Sequence, residues 1–235
     1  MPLDKSENQI RGMFGAIAGR YDFLNHLLSL GIDKYWRWRT VRQAPPIGDG
    51  PILDVCAGTG DLALAYARRQ AAANQVFAAD FCRPMLAIGT RKAAQANLRN
   101  IVFLEADTQQ LPFPADSFQI VSVAFGIRNV TDTDRGLREM VRVCRAGGRV
   151  AVLEFSLPTR QPFKSLYAWY FRHVLPRIGR LVARGGGGAY NYLPASVGEF
   201  PAGEAFAQRM RAAGLREVRC YALTFGVATL YLGLK

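Results

Sequence analysis

The sequence has few of the side chains that hold a metal ion or form a disulfide framework. It contains four cysteines and two histidines in 235 residues, and none of them lies at the paired spacing of a zinc site. The cysteines are far apart along the chain, which favours reduced structural thiols over disulfides. We therefore predict no metal site.

Long apolar runs and acidic side chains are scarce as well. No stretch reaches the roughly 18 consecutive apolar residues of a membrane-spanning helix, and residues 1–10 are polar, so we expect a cytoplasmic protein. Lysine and arginine outnumber aspartate and glutamate by 30 to 18, which gives a net charge of +12. Such a charge attracts nucleic acid and the anionic face of a bilayer alike, so charge alone does not choose between them.

The hydrophobic content of 50% is sufficient for one substantial core, and we expect a single domain over residues 1–235. From residue 50 onward, short apolar runs alternate with longer amphipathic ones, which indicates a doubly wound α/β fold with a parallel sheet. The predicted strands are residues 51–55, 75–80, 101–105, 119–125 and 149–154, and the predicted helices are residues 61–70, 84–96 and 134–144.

Some segments depart from this alternation. Residues 8–42 predict an aromatic-rich helical segment and residues 158–201 an insertion, and both are candidate covers for a substrate. Residues 216–223 and 227–234 predict two antiparallel strands at a sheet edge, an ending that a Rossmann dehydrogenase does not predict. The glycine run at residues 185–188 predicts a mobile loop.

A glycine loop lies between the first predicted strand and the helix after it. Gly58 and Gly60 in this loop fit a dinucleotide as well as S-adenosylmethionine (SAM), because Asp80 follows at about the spacing of a ribose-binding acid. Asp54 and Asp61 would oppose a pyrophosphate at the helix N-terminus. SAM has no phosphate and presents an ammonium and a sulfonium group, so the loop favours a SAM-dependent methyltransferase over a dehydrogenase.

The third predicted strand is followed by an acidic residue, Asp107, with Thr108 beside it. Asp107 can accept a hydrogen bond from an adenine amino group, and nearby apolar residues can enclose the ring. A solvated loop acid is the alternative interpretation.

A longer set of motifs runs through nearly the whole chain. It comprises Met13-Phe14, Tyr21-Asp22 and Trp36-Arg37, then Gly58-Thr59-Gly60-Asp61, Asp80-Phe81 and Phe125-Gly126-Ile127-Arg128-Asn129-Val130, then Leu153-Glu154-Phe155-Ser156 and Tyr192-Leu193. Together these motifs resemble the ubiquinone/menaquinone biosynthesis C-methyltransferase family.

The resemblance implies a class I SAM-dependent methyltransferase fold, which is Rossmann-like. We therefore expect a mostly parallel seven-stranded sheet with an antiparallel last strand, an N-terminal helical segment and a helical insertion. It also implies SAM as cofactor and C-methylation of a prenylated quinol. Demethylmenaquinol is the expected substrate and a polyprenyl methoxy-benzoquinol the alternative.

The expected cofactor-binding residues combine the loop with the family's pattern. They are Asp54, Gly58, Thr59, Gly60, Asp80, Asp107 and Thr108. The chain departs from the family at Ala124, where some members have a cofactor-contacting serine, so one polar contact is missing.

Methyl transfer from sulfonium to carbon is an in-line displacement that depends mainly on positioning and exclusion of water. The quinol carbon becomes nucleophilic when a ring hydroxyl, with a pKa near 10, loses its proton. Arg128 can stabilise the developing phenolate, with Asn129 orienting it by hydrogen bonding, although a structural loop clamp is the alternative.

The base is a separate question, for which the N-terminal segment offers candidates. Tyr21, with Asp22, Asn25 and His26 close to it in the sequence, can orient the quinol hydroxyl or take its proton through water. Packing of the cover is the alternative role for Tyr21, and a surface position is the alternative for His26.

Aromatic and cationic side chains alternate in residues 164–184, a composition typical of an interfacial segment. We expect peripheral contact with the cytoplasmic membrane there, with an amphipathic lid or dimer helix as the alternative. The oligomeric state stays open.

Two rival functions involve nucleic acid: a nucleic-acid methyltransferase and a non-catalytic binding module. Residues 125–129 do not have the Asp/Asn-Pro-Pro-Tyr/Phe motif of many amino-methylating enzymes. We therefore predict no nucleic-acid partner.

Overall fold

Two helices precede the sheet in the computed structural model, which describes residues 6–69, 74–170, 173 and 188–235. They are α1 (Glu7–Leu28) and α2 (Ile32–Gln43), and they confirm the helical start predicted for residues 8–42. Gly31 between them has a φ of 76°, a left-handed conformation that glycine adopts without steric cost.

The rest of the described chain alternates strands and helices. The strands are β1 (Ile52–Val55), β2 (Val76–Asp80), β3 (Ile101–Glu105), β4 (Phe118–Ala124), β5 (Cys144–Phe155), β6 (Arg216–Leu223) and β7 (Ala228–Leu234). The further helices are α3 (Asp61–Arg69), α4 (Arg83–Gln95), α5 (Thr133–Val143), α6 (Phe163–Trp169), α7 (Gly188–Glu199) and α8 (Glu204–Ala212), with short 3-10 turns at Ile127–Asn129 and Thr224–Gly226.

The strands form one seven-stranded sheet in the order β3-β2-β1-β4-β5-β7-β6. Strands β1 to β5 pair in parallel, and β7 pairs antiparallel with both β5 and β6. This arrangement confirms the predicted doubly wound sheet and its antiparallel ending. The strand order reverses between β1 and β4, and ligands of open α/β sheets bind at such a point.

The central strand β1 is buried along its whole length, as expected for a parallel strand covered by helices on both faces. Ile52 belongs to an apolar cluster with Val41 of α2 and Tyr66 of α3, whereas Leu53 belongs to another cluster that includes Leu137 of α5 and Phe206 of α8. Full burial of such aliphatic side chains stabilises the fold by roughly 1.5–3 kcal/mol each. The position of the glycine loop after β1 is therefore fixed from both faces of the sheet.

Strand β5 is longer than predicted, because it begins at Cys144, directly after α5. The backbone N–H of Gly147 donates to the Lys235 carbonyl at 3.0 Å, and the Lys235 N–H donates to the Gly148 carbonyl at 3.1 Å. The pair Gly147-Gly148 by itself predicts a turn. Because these glycines form backbone hydrogen bonds with Lys235 at the end of the chain, the strand continues through them instead.

The predicted insertion at residues 158–201 is described in part, as α6 and α7. Residues 171–172 and 174–187 lie outside the described residues. Most of the predicted interfacial segment 164–184 therefore lies outside them too, as does the glycine run except Gly188. In the ranges that the structure covers, no helix combines the length and the apolar character needed to cross a bilayer.

The first two helices pack on the carboxyl end of the sheet. Trp36 of α2 is 2% exposed, packs with Phe125 and Phe155, and donates from Nε1 to Thr224 Oγ1 at 2.8 Å. These contacts hold α2 at the carboxyl ends of β4 and β5, and Phe14 and Tyr21 of α1 line one cavity together with the loops after β1 and β4.

We predict that Gly126→Ala destabilises the protein. A Cβ at Gly126 would lie 2.3 Å from Cys56 Cβ and 3.2 Å from the Cys56 carbonyl oxygen, so the loops after β1 and β4 must move apart. Overpacking of this kind costs about 1–3 kcal/mol, measurable by urea denaturation. The control is Gly19→Ala in α1, where nothing lies within 4 Å of the new methyl group and helix propensity favours alanine. Equal stability of the two variants would contradict this packing.

Candidate active site

Two adjoining cavities lie at the carboxyl ends of the parallel strands. The cofactor cleft is lined by the loops after β1, β2, β3 and β4, and the apolar cavity, of about 500 Å³, is lined by α1, α2, α6, α7 and the turn before β7. Among the described residues, four side chains line both cavities: Phe14, Tyr21, Arg37 and Phe125. We call these four the junction residues.

The structure brings six of the seven predicted cofactor-binding residues to the cofactor cleft. They are Asp54, Gly58, Thr59, Asp80, Asp107 and Thr108. Gly60 lies beside the cleft without lining it. A Cβ at Gly60 would lie 2.7 Å from the Phe103 ring, so close packing against β3 requires this glycine.

The carboxylate of Asp80 fastens the glycine loop to the end of β2. Its two oxygens accept hydrogen bonds from the backbone N–H groups of Gly58 and Cys82, both at 2.8 Å. Burial raises the pKa of Asp80, and the hydrogen bonds from Cys82 and Gly58 oppose this shift. Gly58 has a φ of 57°, which lets its backbone turn toward the cleft at little steric cost.

Asp54 is 1% exposed and accepts a hydrogen bond from Ser122 Oγ at 2.7 Å. Burial raises its pKa to about 7, against the effect of the hydrogen bonds from Ser122 and from the Ala63 backbone. A cation in the cleft would favour the ionised carboxylate. The charge of Asp54 therefore depends on pH and on what the cleft holds.

The loop after β3 contributes three polar residues to the cleft: Asp107, Thr108 and Gln109. Asp107 Oδ1 accepts from the Gln109 N–H at 2.9 Å, and Thr108 Oγ1 lies 3.2 Å from Cys56 Sγ. Ala124 also lines the cleft, so the serine hydroxyl of some family members is absent at this wall.

The structure separates Asn129 from Arg128, which the sequence places side by side. Asn129 lines the cofactor cleft and Arg128 the apolar cavity. The Asn129 side-chain oxygen is buried without a hydrogen-bond partner in the described part of the chain. A buried polar atom without a partner costs about 1–3 kcal/mol, so a donor on a bound ligand would stabilise it.

Arg128 is 5% exposed and forms a buried ion pair with Glu154 of β5. Its Nη1 donates to Glu154 Oε1 at 2.7 Å and to the Phe125 carbonyl, and its Nε donates to Ser196 Oγ at 3.4 Å. Burial raises the pKa of Glu154, whereas the Arg128 charge lowers it. Arg128 thus clamps α7 and the β4 loop to β5 while it also lines the apolar cavity.

An alternating chain of charges joins the N-terminal helices to the glycine loop. Arg37 Nη1 donates to Asp33 Oδ2 and Arg37 Nη2 lies 3.5 Å from Asp61 Oδ2. Lys92 Nζ donates to Asp61 Oδ1 at 2.5 Å and to Asp22 Oδ2 at 2.7 Å. We call these five residues the ion-pair chain. Its members lie on α1, α2, α3 and α4. The chain of ion pairs therefore holds α1 and α2 on the cofactor side of the sheet.

Sequence reasoning missed the roles of Arg37 and Lys92, because their partners Asp61 and Asp22 are 24 to 70 residues away. The only signal for Arg37 was its place in the N-terminal motif. The ion pairs of Asp61 with Arg37 and Lys92 also bear on the expectation that acidic residues of the glycine loop oppose a pyrophosphate. Asp61 opposes a phosphate less than expected because two cations compensate its charge.

Tyr21 and His26 are placed differently with respect to the cavities. Burial raises the pKa of Tyr21, although its hydrogen bond with Asn25 lowers it, so the phenol is neutral at pH 7 and suits a donor better than a base. His26 lines neither cavity, and its Nδ1 lies 2.8 Å from Asp33 Oδ2. Ligand atoms of His26, Asp33 and Asp61 come within 4.8 Å of one another, but the Arg37 guanidinium engages both aspartates.

Comparison with known proteins decides the family. The model of the ubiE/COQ5 methyltransferase family matches residues 3–235. The chain belongs to this family. It is therefore a SAM-dependent methyltransferase, as predicted from the loop and the motifs.

Curated relatives span nearly the same length. The chain is 49% identical to the demethylmenaquinone methyltransferase of Thermus thermophilus, over 94% of this chain and 99% of the relative. It is 45% identical to the ubiquinone/menaquinone biosynthesis C-methyltransferase UbiE of Geobacter sulfurreducens, over 99% of this chain and 91% of the relative.

Solved structures of low sequence identity share the fold. A SAM-dependent methyltransferase from Aquifex aeolicus aligns with a TM-score of 0.61 at 15% identity, over 84% of this chain and 88% of that chain. A Haemonchus contortus phosphoethanolamine N-methyltransferase 2 in complex with SAM aligns with a TM-score of 0.63 at 13% identity, over 85% and 52% of the two chains.

The cleft of this methyltransferase fits SAM in its own chemistry. Asp54 and Asp80 offer carboxylates, the buried Asn129 oxygen has no hydrogen-bond partner among the described residues, and Gly58 allows close approach of the backbone. Acceptors of this kind match the ammonium, hydroxyl and amino donors of SAM.

The raised pKa of Asp54 gives a prediction for stability. Its ordinary pKa is 3.8 and its pKa in the folded protein is about 7, so the stability that protonation contributes is present below about pH 4 and is lost as the pH rises through 7. Asp54→Asn cannot ionise. We expect its free energy of unfolding, relative to the native protein, to increase by about 2 kcal/mol between pH 5 and pH 7.

Urea denaturation of both proteins at the two pH values measures this difference. The control is Asp116→Asn, which removes an exposed carboxylate paired with Lys235 and should show no such increase. A difference between Asp54→Asn and native protein that stays constant with pH would show that the Asp54 carboxyl is not perturbed.

Proposed function

We propose that this methyltransferase transfers the methyl group of SAM to a ring carbon of demethylmenaquinol. The observation that carries the proposal is the apolar cavity of about 500 Å³, which adjoins the cofactor cleft and shares four lining residues with it. Relatives such as the Thermus thermophilus protein have the name demethylmenaquinone methyltransferase. A planar, apolar headgroup with a prenyl tail matches such a cavity.

The lining of the apolar cavity supports a quinol over a nucleotide. Its aliphatic and aromatic members include Met13, Ile17, Leu24, Leu28, Phe163, Leu166, Leu193 and Val227. A nucleobase presents several donors and acceptors, and each one buried without a partner is costly. A quinol has only two hydroxyl groups to satisfy.

Within this proposal, SAM supplies an electrophilic methyl group on a sulfonium. The Phe14 and Phe125 rings at the junction exclude water and hold the flat quinol ring near the cleft. The neutral Tyr21 hydroxyl orients a quinol hydroxyl, and Arg128 stabilises negative charge on the quinol from within the apolar cavity. Asn129 lines the cofactor cleft, so it orients the quinol by hydrogen bonding from the cofactor side.

We further propose that the two departures from the α/β alternation are the covers of the substrate. The segment 8–42 supplies α1 and α2, and the insertion 158–201 supplies α6 and α7, all of which line the apolar cavity. A single domain over residues 1–235 accommodates both covers.

Labelled SAM and short-chain demethylmenaquinol under reducing conditions test the main proposal. We expect one added methyl group on the ring, seen by mass spectrometry, because a shorter tail still leaves the headgroup in the apolar cavity. A prenylated methoxy-benzoquinol runs beside it, since relatives such as the Geobacter sulfurreducens protein are named for ubiquinone as well as menaquinone. Failure to methylate either quinol would refute the proposal.

The exposed mouth of the apolar cavity supports substrate entry from a membrane surface. Leu30, Leu166, Trp169 and Phe225 line the cavity and are 83%, 61%, 55% and 66% exposed. With a net charge of +12, these side chains suit an anionic bilayer, in which the prenyl tail can remain while the headgroup enters.

Flotation with anionic vesicles tests the membrane contact. We expect binding at low salt and weaker binding of Trp169→Ser, because the indole inserts among the headgroups. The matched control is Trp38→Ser, which changes a tryptophan that is 48% exposed and does not line the cavity. Equal binding of the two variants, or no binding of the native protein at low salt, would exclude docking through this mouth.

A further inference from the structure

We propose that Arg37 is a catalytic residue that donates a hydrogen bond to the quinol oxygen next to the reacting carbon. The proposal rests on the proposed function, because it assigns a role within methylation of a quinol ring. The sequence alone points to Arg37 only as part of the motif Trp36-Arg37 and assigns it no chemical role.

The reaction itself limits where the reacting atoms can lie. The quinol hydroxyl loses its proton to water, and its electron pair increases the density on the adjacent ring carbon. That carbon forms a bond to the methyl group while the carbon–sulfur bond breaks and its electron pair stays on sulfur. The ring carbon then loses its own proton to water, which restores the aromatic ring and returns the electron pair to the oxygen. The oxygen takes a proton back from water, so one proton is released overall.

The acceptor carbon must come within about 3–3.5 Å of the methyl group in a productive complex. This requirement places the carbon where the cofactor cleft and the apolar cavity meet. The oxygen that activates this carbon is bound to the neighbouring ring carbon, so it also lies at the junction of the two cavities. Of the four junction residues, Arg37 is the one with a positive charge.

Arg128 is less well placed for this oxygen. It lines the apolar cavity but not the cofactor cleft, and its Nη1 and Nε already donate to Glu154, to the Phe125 carbonyl and to Ser196. Its position suits the second quinol oxygen, on the far side of the ring. The two arginines then serve different oxygens of the same substrate.

The guanidinium of Arg37 is held in place before any substrate arrives. It is 9% exposed, engages Asp33 and Asp61 through its two terminal nitrogens, and lies 5.7 Å from the centre of the Phe125 ring. A guanidinium has five N–H donors, so these contacts leave donors for the quinol oxygen. A fixed donor requires little reorganisation when charge develops on its acceptor.

The two aspartates also define what Arg37 contributes. They offset most of its net charge, so a directed hydrogen bond that strengthens as the oxygen becomes anionic is the main effect. Lysine at this position keeps the charge. Its single nitrogen lacks the planar fork with which the guanidinium engages the two aspartates through separate nitrogens and still directs a donor at the quinol oxygen.

The experiment compares Arg37→Ala, Arg37→Lys and native protein in the quinol methylation assay, with SAM affinity measured by calorimetry. We expect kcat of Arg37→Ala to fall by roughly 10²–10³-fold, as for removal of an oxyanion donor, and added guanidinium ion to restore part of it. Restoration by guanidinium distinguishes a missing donor from a misplaced helix. Arg42→Lys, on the exposed face of α2 against Trp38, is the control and should retain full activity.

Arg37→Ala removes the arginine partner of the buried Asp33 and one of the two cations beside Asp61, so Arg37→Lys decides if the alanine variant does not fold. We expect kcat of Arg37→Lys to fall by about tenfold or more with SAM affinity close to that of the native protein. Normal kcat in Arg37→Lys, or a loss in Arg37→Ala that guanidinium does not restore, would overturn the proposal. Absence of quinol methylation by the native protein would instead refute the proposed function.

Discussion

The alternation of charges from Asp33 through Arg37, Asp61 and Lys92 to Asp22 is the constraint on which the site depends. Each carboxylate lies between cations or hydrogen-bond donors, so charges that would be costly to bury singly are compensated together. The burial of Asp33 opposes its ionisation, but the hydrogen bond from Ser29 and the charge of Arg37 outweigh it, and the pKa of Asp33 is lowered. Helices α1 and α2 are thereby fixed to the loop that holds the cofactor.

Because those helices are fixed, two cavities of different chemistry can share one wall. The cofactor cleft has acidic and amide groups, whereas the neighbouring cavity is mainly aliphatic and aromatic. This contrast suits a reaction in which a charged methyl donor meets an apolar acceptor without free access of water. The ion pair of Arg128 with the fully buried Glu154 fixes the opposite wall, where α7 joins the end of the sheet.

Much of the fold was predictable because its signals are local. The alternation of apolar runs predicted strands and helices within a few residues, and the last two strands were predicted with their antiparallel pairing. The start of β5 was not, because its first residues are held by backbone hydrogen bonds to Lys235, and no local pattern reports a partner so far away. In the same way, the sequence predicted that Asn129 and Arg128 act together on the phenolate. The 3-10 turn at Ile127–Asn129 instead directs the two side chains to different cavities.

The sequence by itself determined the family, the cofactor and six residues that line the cofactor cleft, because short motifs such as the glycine loop carry their chemistry in their own residues. Only the tertiary structure decided which side chains meet at the junction of the two cavities. It brought Arg37 of α2 to Asp61 of α3, and Lys92 of α4 to Asp22 of α1. The physical reason is that ion pairing and cavity shape arise from the packing of elements distant in the chain, and their energies have no counterpart in local sequence.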